Sequence, residues 1–213
     1  IGIPVFLVGG WADGYSNAIP RMARHLRAPR HALIGPWGHA FPHDAAPGPS
    51  IGFLQEAARF WHRTLGGPGA ADAAGEPGVA DARDEPFGAG TSEEPLLRAW
   101  MQESIHAGSR EPDRPGRWIR ETEWPSSGIE PRTLRFAPGR LVEPAAHNGA
   151  GEQPEGAALS VSSPQDLGRA AGGWLVAGTK DQREDDGRSL CFDSEPLPER
   201  LEILGAPELR LQV

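Results

Sequence analysis

Asp13 and His39 are the two side chains of this sequence whose types and placement suit acid–base chemistry together. Asp13 lies in the glycine-bracketed loop Gly10-Trp11-Ala12-Asp13-Gly14, directly after the apolar run Ile3-Pro4-Val5-Phe6-Leu7-Val8. His39 closes Gly35-Pro36-Trp37-Gly38-His39, directly after a second short apolar run, His31-Ala32-Leu33-Ile34. In an open parallel sheet the carboxyl ends of neighbouring strands face one crevice, and functional groups gather there. A carboxylate delivered beside a histidine fixes the imidazole tautomer. It also stabilises the imidazolium formed when the histidine takes a proton from a nucleophile. Taken alone, the same residues allow a plainer use, with Asp13 ordering a turn and His39 capping a loop. Trp11, Tyr15 and Trp37 flank the pair and are candidates for the wall of a substrate pocket, although tryptophans beside a sheet edge are as often core.

The other chemistry-bearing residues argue against themselves. Gly48-Pro49-Ser50-Ile51-Gly52 matches the Gly-x-Ser-x-Gly pattern literally, but a nucleophile elbow needs a strand before it, and His43 to Pro47 is polar and proline-bearing. Ser50 is therefore expected to cap a helix. His39 and His43 have metal-like spacing, yet Pro42 between them prevents the helix that would place both on one face, so no metal site is expected. His25 and His62 fall on expected helices as surface or partly buried residues. The acidic run Asp181–Asp186 lacks the ligand spacing of a calcium loop and contains Arg183, which points to an interdomain salt-bridge network instead. Cys191 is the only cysteine, so neither an intramolecular disulfide nor a cysteine-rich zinc site can form.

The elements that must position Asp13 and His39 follow from the pattern around them. The two apolar runs read as short buried strands. Between them, Ser16 is expected to cap a helix reaching Leu26, with Ala18, Ile19, Met22, Ala23 and Leu26 inward and Arg21, Arg24 and Arg27 on a solvated face. After the histidine loop, Leu54, Ala57, Ala58, Trp61 and Leu65 share a stripe on a second helix stopped by Gly66-Gly67. Strand, helix, strand, helix is the order of a parallel sheet wrapped by helices. Residues 68–91 lack periodicity and read as a surface insertion. Pro95–Gln102 is a further strand candidate, with a short helix as the alternative, and Trp118 to Pro125 leads out of the domain.

Past Ser126-Ser127-Gly128 the texture changes to short strand candidates separated by glycine and proline. These are Arg132–Phe136, Leu159–Val161, Trp174–Ala177, Ser189–Phe192, Arg200–Leu204 and Glu208–Val213, a spacing that suggests a β-sandwich. Two domains are expected, 1–127 and 128–213. Of the 213 residues, 28 are glycine and 22 proline, which favours turns and sheet over long helices. A net charge of −8 excludes a basic face as the driver of nucleic-acid binding. No apolar run approaches the roughly 20 residues of a membrane span, and Ile1 opens without the basic start of a signal peptide. A soluble, cytoplasmic setting is favoured, and both ends of the chain read as cut.

The sequence resembles a known family at several points. Gly10-Trp11-Ala12-Asp13-Gly14-Tyr15 followed by Ile34-Gly35-Pro36-Trp37-Gly38-His39 closely resembles the acid and histidine motifs of cocaine-esterase-like and X-prolyl dipeptidyl-peptidase-like serine hydrolases. Phe60-Trp61-His62-Arg63-Thr64-Leu65 resembles the helix after the histidine. Residues 118–125 resemble that family's exit from its catalytic domain. Asp181-Gln182-Arg183 with Asp185-Asp186, Phe192-Asp193-Ser194-Glu195-Pro196-Leu197 and Leu204-Gly205 resemble the opening of its C-terminal jelly roll.

The resemblance implies an α/β chain, the C-terminal part of an α/β-hydrolase fold followed by the beginning of a jelly-roll β-sandwich. It implies that Asp13 is the triad acid and His39 the general base, with the serine nucleophile and oxyanion hole upstream of Ile1. The implied function is cleavage of an ester or amide, including an X-Pro peptide or a β-lactam side-chain amide, through an acyl-enzyme without a cofactor. The partner would be a small ester, amide or short peptide, with no nucleic acid and no membrane; a homo-oligomer is open. The competing reading is a binding module in which the β-sandwich recognises carbohydrate or protein and the α/β portion is a relic.

Overall fold

The computed structural model describes residues 2–66, 95–106, 109, 111–144, 158–171 and 181–211. The expected insertion at 68–91 and the strand candidate at 174–177 lie outside the described residues. Two compact units emerge, one built on the chain through Gly128 and taking in Leu204, the other on the stretch from Ile129 to Ile203.

The first unit is a four-stranded mixed sheet with helices on both faces. Strand β1 (Val5–Gly10) crosses through helix α1 (Ala18–His25) to β2 (Arg30–Gly35), and β2 crosses through α2 (Phe53–Leu65) to β3 (Leu97–Gln102). Strand β4 (Gly116–Glu121) then returns beside β3. The order is β1-β2-β3-β4, parallel for the first two pairings and antiparallel for the last. Pro95–Gln102 thus resolves as strand. The stretch from Trp118 to Pro125, expected only to lead out of the domain, begins inside the sheet's last strand, which runs to Glu121.

Side chains alternate across this sheet with period two. Leu7, Ala32, Ile34, Leu97 and Ala99 project to one face and meet Ile19 and Ala23 of α1 in a closed cluster. Leu33 projects to the other face and packs with Trp37, Ala45 and Ile51, flanked by Phe6, Val8 and Phe53. Because β2 is central, Leu33 and Ile34 are fully buried from opposite sides, each contributing about 1.5–3 kcal/mol by removal from water.

The helix ends differ from expectation. Helix α1 begins after Asn17 rather than Ser16, and neither α1 nor α2 has a side-chain cap. The buried face of α2 also differs. Phe53, Glu56 and Phe60 turn inward, Phe60 stacking on Phe6 with ring centroids 5.3 Å apart. The expected stripe is left outside, with Leu54 64% exposed, Trp61 54% and Leu65 76%. The reason is Arg98 on β3. It is buried beneath α2 and donates from Nη2 to Glu56 Oε2 at 3.1 Å, while Arg59 donates to Oε1 at 2.6 Å. An uncompensated buried guanidinium is costly, and this orientation of α2 gives Arg98 its carboxylate. Burial raises the Glu56 carboxyl above its ordinary value, an effect that attraction to Arg98 and then Arg59 only partly offsets.

The second unit carries one antiparallel ribbon, β5 (Arg135–Ala137) with β6 (Arg140–Val142), turned at Gly139 with φ 64°. A single 3-10 turn at Arg169–Ala171 and a four-residue helix α3 (Arg183–Asp186) complete its regular structure among the described residues. The expected strands at 159–161, 189–192 and 200–204, and the described part of 208–213, are extended or irregular chain without a ladder. Leu159, Val161, Leu190, Leu201 and Ile203 are exposed in this unit, as are Leu209 and Leu211 in the segment from Leu204 that belongs to the first unit. Short apolar runs pair as strands when a shared apolar face rewards the pairing, and among the described residues these runs find little of one beyond Phe192 against Phe136. No described helix is long and apolar enough to cross a membrane.

Candidate active site

The site begins where β1 and β2 end. Gly10 and Gly35 are partners in the parallel register, so both following loops leave from one edge of the sheet. The backbones stay stitched beyond the strands, Trp11 N–H donating to the Gly35 carbonyl at 2.9 Å and Ala12 N–H to the Trp37 carbonyl at 3.0 Å. This approach requires glycine. A Cβ at Gly10 would lie 1.9 Å from the Trp37 carbonyl oxygen, and one at Gly35 would lie 2.4 Å from the Trp37 ring.

The Asp13 loop is a tight turn. Asp13 N–H donates to the Gly10 carbonyl at 3.2 Å, and Tyr15 N–H donates to Asp13 Oδ1 at 2.8 Å. The carboxylate's other oxygen, Oδ2, lies 3.0 Å from His39 Nδ1. The two side chains chosen from the sequence are therefore hydrogen-bonded. With Nδ1–H directed at a carboxylate, the proton is held on that nitrogen and the lone pair is left on Nε2. Asp13's side chain is 14% exposed and His39's 50%, so the acid is sheltered while the imidazole faces outward.

The three flanking aromatics take different places. Tyr15 is half exposed and lies edge-to-face with His39, ring centroids 5.8 Å apart and planes inclined by 61°. Trp37, by contrast, is 1% exposed and donates Nε1–H to the Pro49 carbonyl at 2.8 Å. It supports the histidine loop from within the core instead of lining a surface. Trp11 is half-buried and donates to the Trp100 carbonyl at 2.8 Å, so its polar edge is also engaged inside the fold.

The remaining candidates are settled locally. Ser50 neither caps α2 nor meets His39; its hydroxyl donates weakly to the Ala45 carbonyl at 3.4 Å. His43 is stacked on Phe53, with rings 4° from parallel. Arg183 pairs with Asp181, two residues away, rather than with a partner in another domain. That hydrogen bonding holds the Asp181 carboxyl at about 2. Asp185 accepts Ala170 N–H at 2.9 Å and ties α3 to the 3-10 turn. No group of three or more His, Cys, Asp or Glu side chains is gathered for a metal among the described residues. Sequence reasoning missed Trp100 and Trp118 of β3 and β4, the first meeting Trp11 through its backbone carbonyl and the second meeting Trp37 through its ring. Their only short-range signal is two tryptophans in otherwise ordinary segments.

A family model described as X-Pro dipeptidyl-peptidase C-terminal non-catalytic domain matches residues 89–213. A second, described as X-Pro dipeptidyl-peptidase (S15 family), matches residues 1–41 and so includes both Asp13 and His39. No curated protein matches the chain.

Proposed function

Because this chain belongs to the X-Pro dipeptidyl-peptidase family, we propose that it supplies the acid and the general base of a serine hydrolase, Asp13 and His39. The supporting observation is the 3.0 Å contact between Asp13 Oδ2 and His39 Nδ1 at the carboxyl edge of two parallel strands. In this reading the sheet of the first unit is part of an α/β-hydrolase fold, and the second unit opens a jelly-roll β-sandwich.

The chemistry follows from the proton positions. His39 Nε2 accepts the proton of a serine hydroxyl as its oxygen attacks the scissile carbonyl. Asp13 stabilises the imidazolium, which then returns the proton to the departing alcohol or amine. Water repeats the sequence against the acyl-enzyme and releases the acid. In an α/β-hydrolase the nucleophilic serine precedes the acid and the histidine in chain order, and no described serine hydrogen-bonds to His39. Substrates are small esters, amides or X-Pro peptides, with Tyr15 the flanking aromatic most open to them.

Turnover of a p-nitrophenyl ester and of an X-Pro p-nitroanilide by the full-length protein tests this. His39→Ala should abolish most of both activities. Asp13→Asn should lower kcat by about four orders of magnitude, the cost of misorienting such an imidazole in a well-studied protease. Ser50→Ala should leave kcat unchanged. Undiminished turnover in His39→Ala would favour the other reading, a non-catalytic binding module, which draws on the description of the family model over 89–213.

A further inference from the structure

The match to a non-catalytic domain starts at residue 89, yet β3 and β4 lie beyond that point and complete the sheet that carries Asp13 and His39. Trp100 and Trp118 face each other across this hairpin, paired in register, with rings 5.3 Å apart and 72° inclined. Each reaches one of the two site loops. Trp11, two residues before Asp13, donates its indole N–H to the Trp100 carbonyl at 2.8 Å. Trp37, two residues before His39, packs against Trp118 with ring centroids 6.0 Å apart.

The hairpin also holds the far side of the histidine loop. Trp100 Nε1–H donates to the Arg114 carbonyl at 3.1 Å, and Arg114 N–H donates to the Gly48 carbonyl at 2.8 Å. Gly48 N–H returns to the Pro112 carbonyl at 2.9 Å. Gly116 makes room for the ring, since a Cβ there would lie 2.6 Å from Trp100 Nε1 and 2.3 Å from the Met101 carbonyl. Both loops are thus fastened to one element by directional contacts. A hydrogen bond between two loops survives only if neither drifts, and about 1 Å of displacement is enough to spoil catalytic geometry.

We propose that the β3–β4 hairpin positions the Asp13–His39 pair, with Trp118 and the Trp11–Trp100 bond as its two points of attachment. The inference rests on the catalytic reading above. Trp100 and Trp118 touch no reacting atom in this account; they act through Trp11 and Trp37.

Imidazole nitrogen NMR of the 213-residue chain at mildly alkaline pH reads the attachment directly, because the hydrogen bond to Asp13 holds His39 as the Nδ1–H tautomer. Wild type should show that tautomer. Trp118→Leu should move His39 toward the Nε2–H tautomer of a free imidazole, while Trp118→Phe, which keeps an aromatic edge against Trp37, should restore it. Amide spectra of β1 and β2 report folding in each variant. Should Trp118→Leu fail to fold, Trp11→Phe decides, since it keeps a ring and removes only the donor. Its His39 Nδ1 proton should exchange with water faster by roughly fivefold to tenfold, the worth of one hydrogen bond. Folded variants with the wild-type tautomer and exchange rate would overturn the positioning role and leave the hydrolase reading standing. Absence of the Nδ1–H tautomer from wild type itself would overturn both.

Discussion

The two units are held together by different physics. In the sheet unit, Leu33, Ile34, Trp37 and Leu97 are buried, and even its charged pair, Glu56 with Arg98, is out of water. In the unit built on 129–203, Asp185 is the only charged or apolar side chain counted as buried among the described residues. That unit is tied by Arg132 to Glu143, Arg140 to Glu195 and Arg188 to Asp166, pairs whose members are all about a third or more exposed. Its main apolar contact is Phe136 against Phe192, ring centroids 4.6 Å apart. Exposed ion pairs contribute about 0–1 kcal/mol each, whereas one buried leucine outweighs several. A 3.0 Å hydrogen bond between side chains on two separate loops needs the first kind of support, and that is where Asp13 and His39 sit.

The contrast can be broken most forcefully at its charged centre. Glu56→Ala leaves Arg98 beneath α2 without that carboxylate and is expected to cost about 3–5 kcal/mol in urea unfolding. A loss below about 1 kcal/mol would mean that water reaches the pair and that both units depend on solvated charges. Leu33→Ala should cost about 2–5 kcal/mol through lost transfer energy and the cavity left behind. Phe136→Ala, in the other unit, should cost only about 1 kcal/mol, the scale of an aromatic pair already open to solvent; a value near that of Leu33→Ala would reveal a second core. Arg132→Ala should shift stability by less than about 1 kcal/mol, with that small change fading in high salt.

Acid sharpens the same comparison because the two units carry carboxyls displaced in opposite directions. Glu56 is raised above its ordinary 4.5, chiefly by burial. Its folded state therefore binds the proton more readily, so its favourable contribution is complete below 4.5 and is lost as pH rises through the raised value. Asp181 is lowered from 3.8 to about 2 by hydrogen bonding to Arg183. Its contribution is complete above 3.8 and is lost as pH falls toward 2. Carbon-13 titration of the two carboxyls should give midpoints on opposite sides of their ordinary values. Midpoints shifted in the same direction would refute this account of how the charges are held.

Much of the sheet unit was legible in the sequence because its signals are local. The apolar runs before Gly9-Gly10 and Gly35 announce buried strands, and placing Asp13 and His39 just after them is enough to bring the pair together. The orientation of α2 was not legible. Its apolar stripe from Leu54 to Leu65 is the stronger periodic signal, but the helix turns to satisfy Arg98, 42 residues from Glu56. No window of sequence contains that requirement. The burial of Trp37 was not legible for a related reason, since it depends on Pro49 accepting its N–H and on Trp118 arriving from β4. In the second unit, short runs separated by glycine and proline suggest strands, but such runs do not build a ladder without a shared apolar face.

The outward turn of α2 has a spectroscopic consequence. Among the described tryptophans only Trp61 is exposed, while Trp37 is shut away and Trp11, Trp100, Trp118 and Trp124 are partly covered. Iodide should quench Trp61 first and strip the long-wavelength side of the emission band. In a Trp61→Phe background four of the six remaining tryptophans, Trp11, Trp37, Trp100 and Trp118, are those tied to the Asp13 and His39 loops. Changes in fluorescence lifetime or quenching would then report on those loops as substrate-sized molecules are added. The helix face left in water thus allows the site to be followed by its own light.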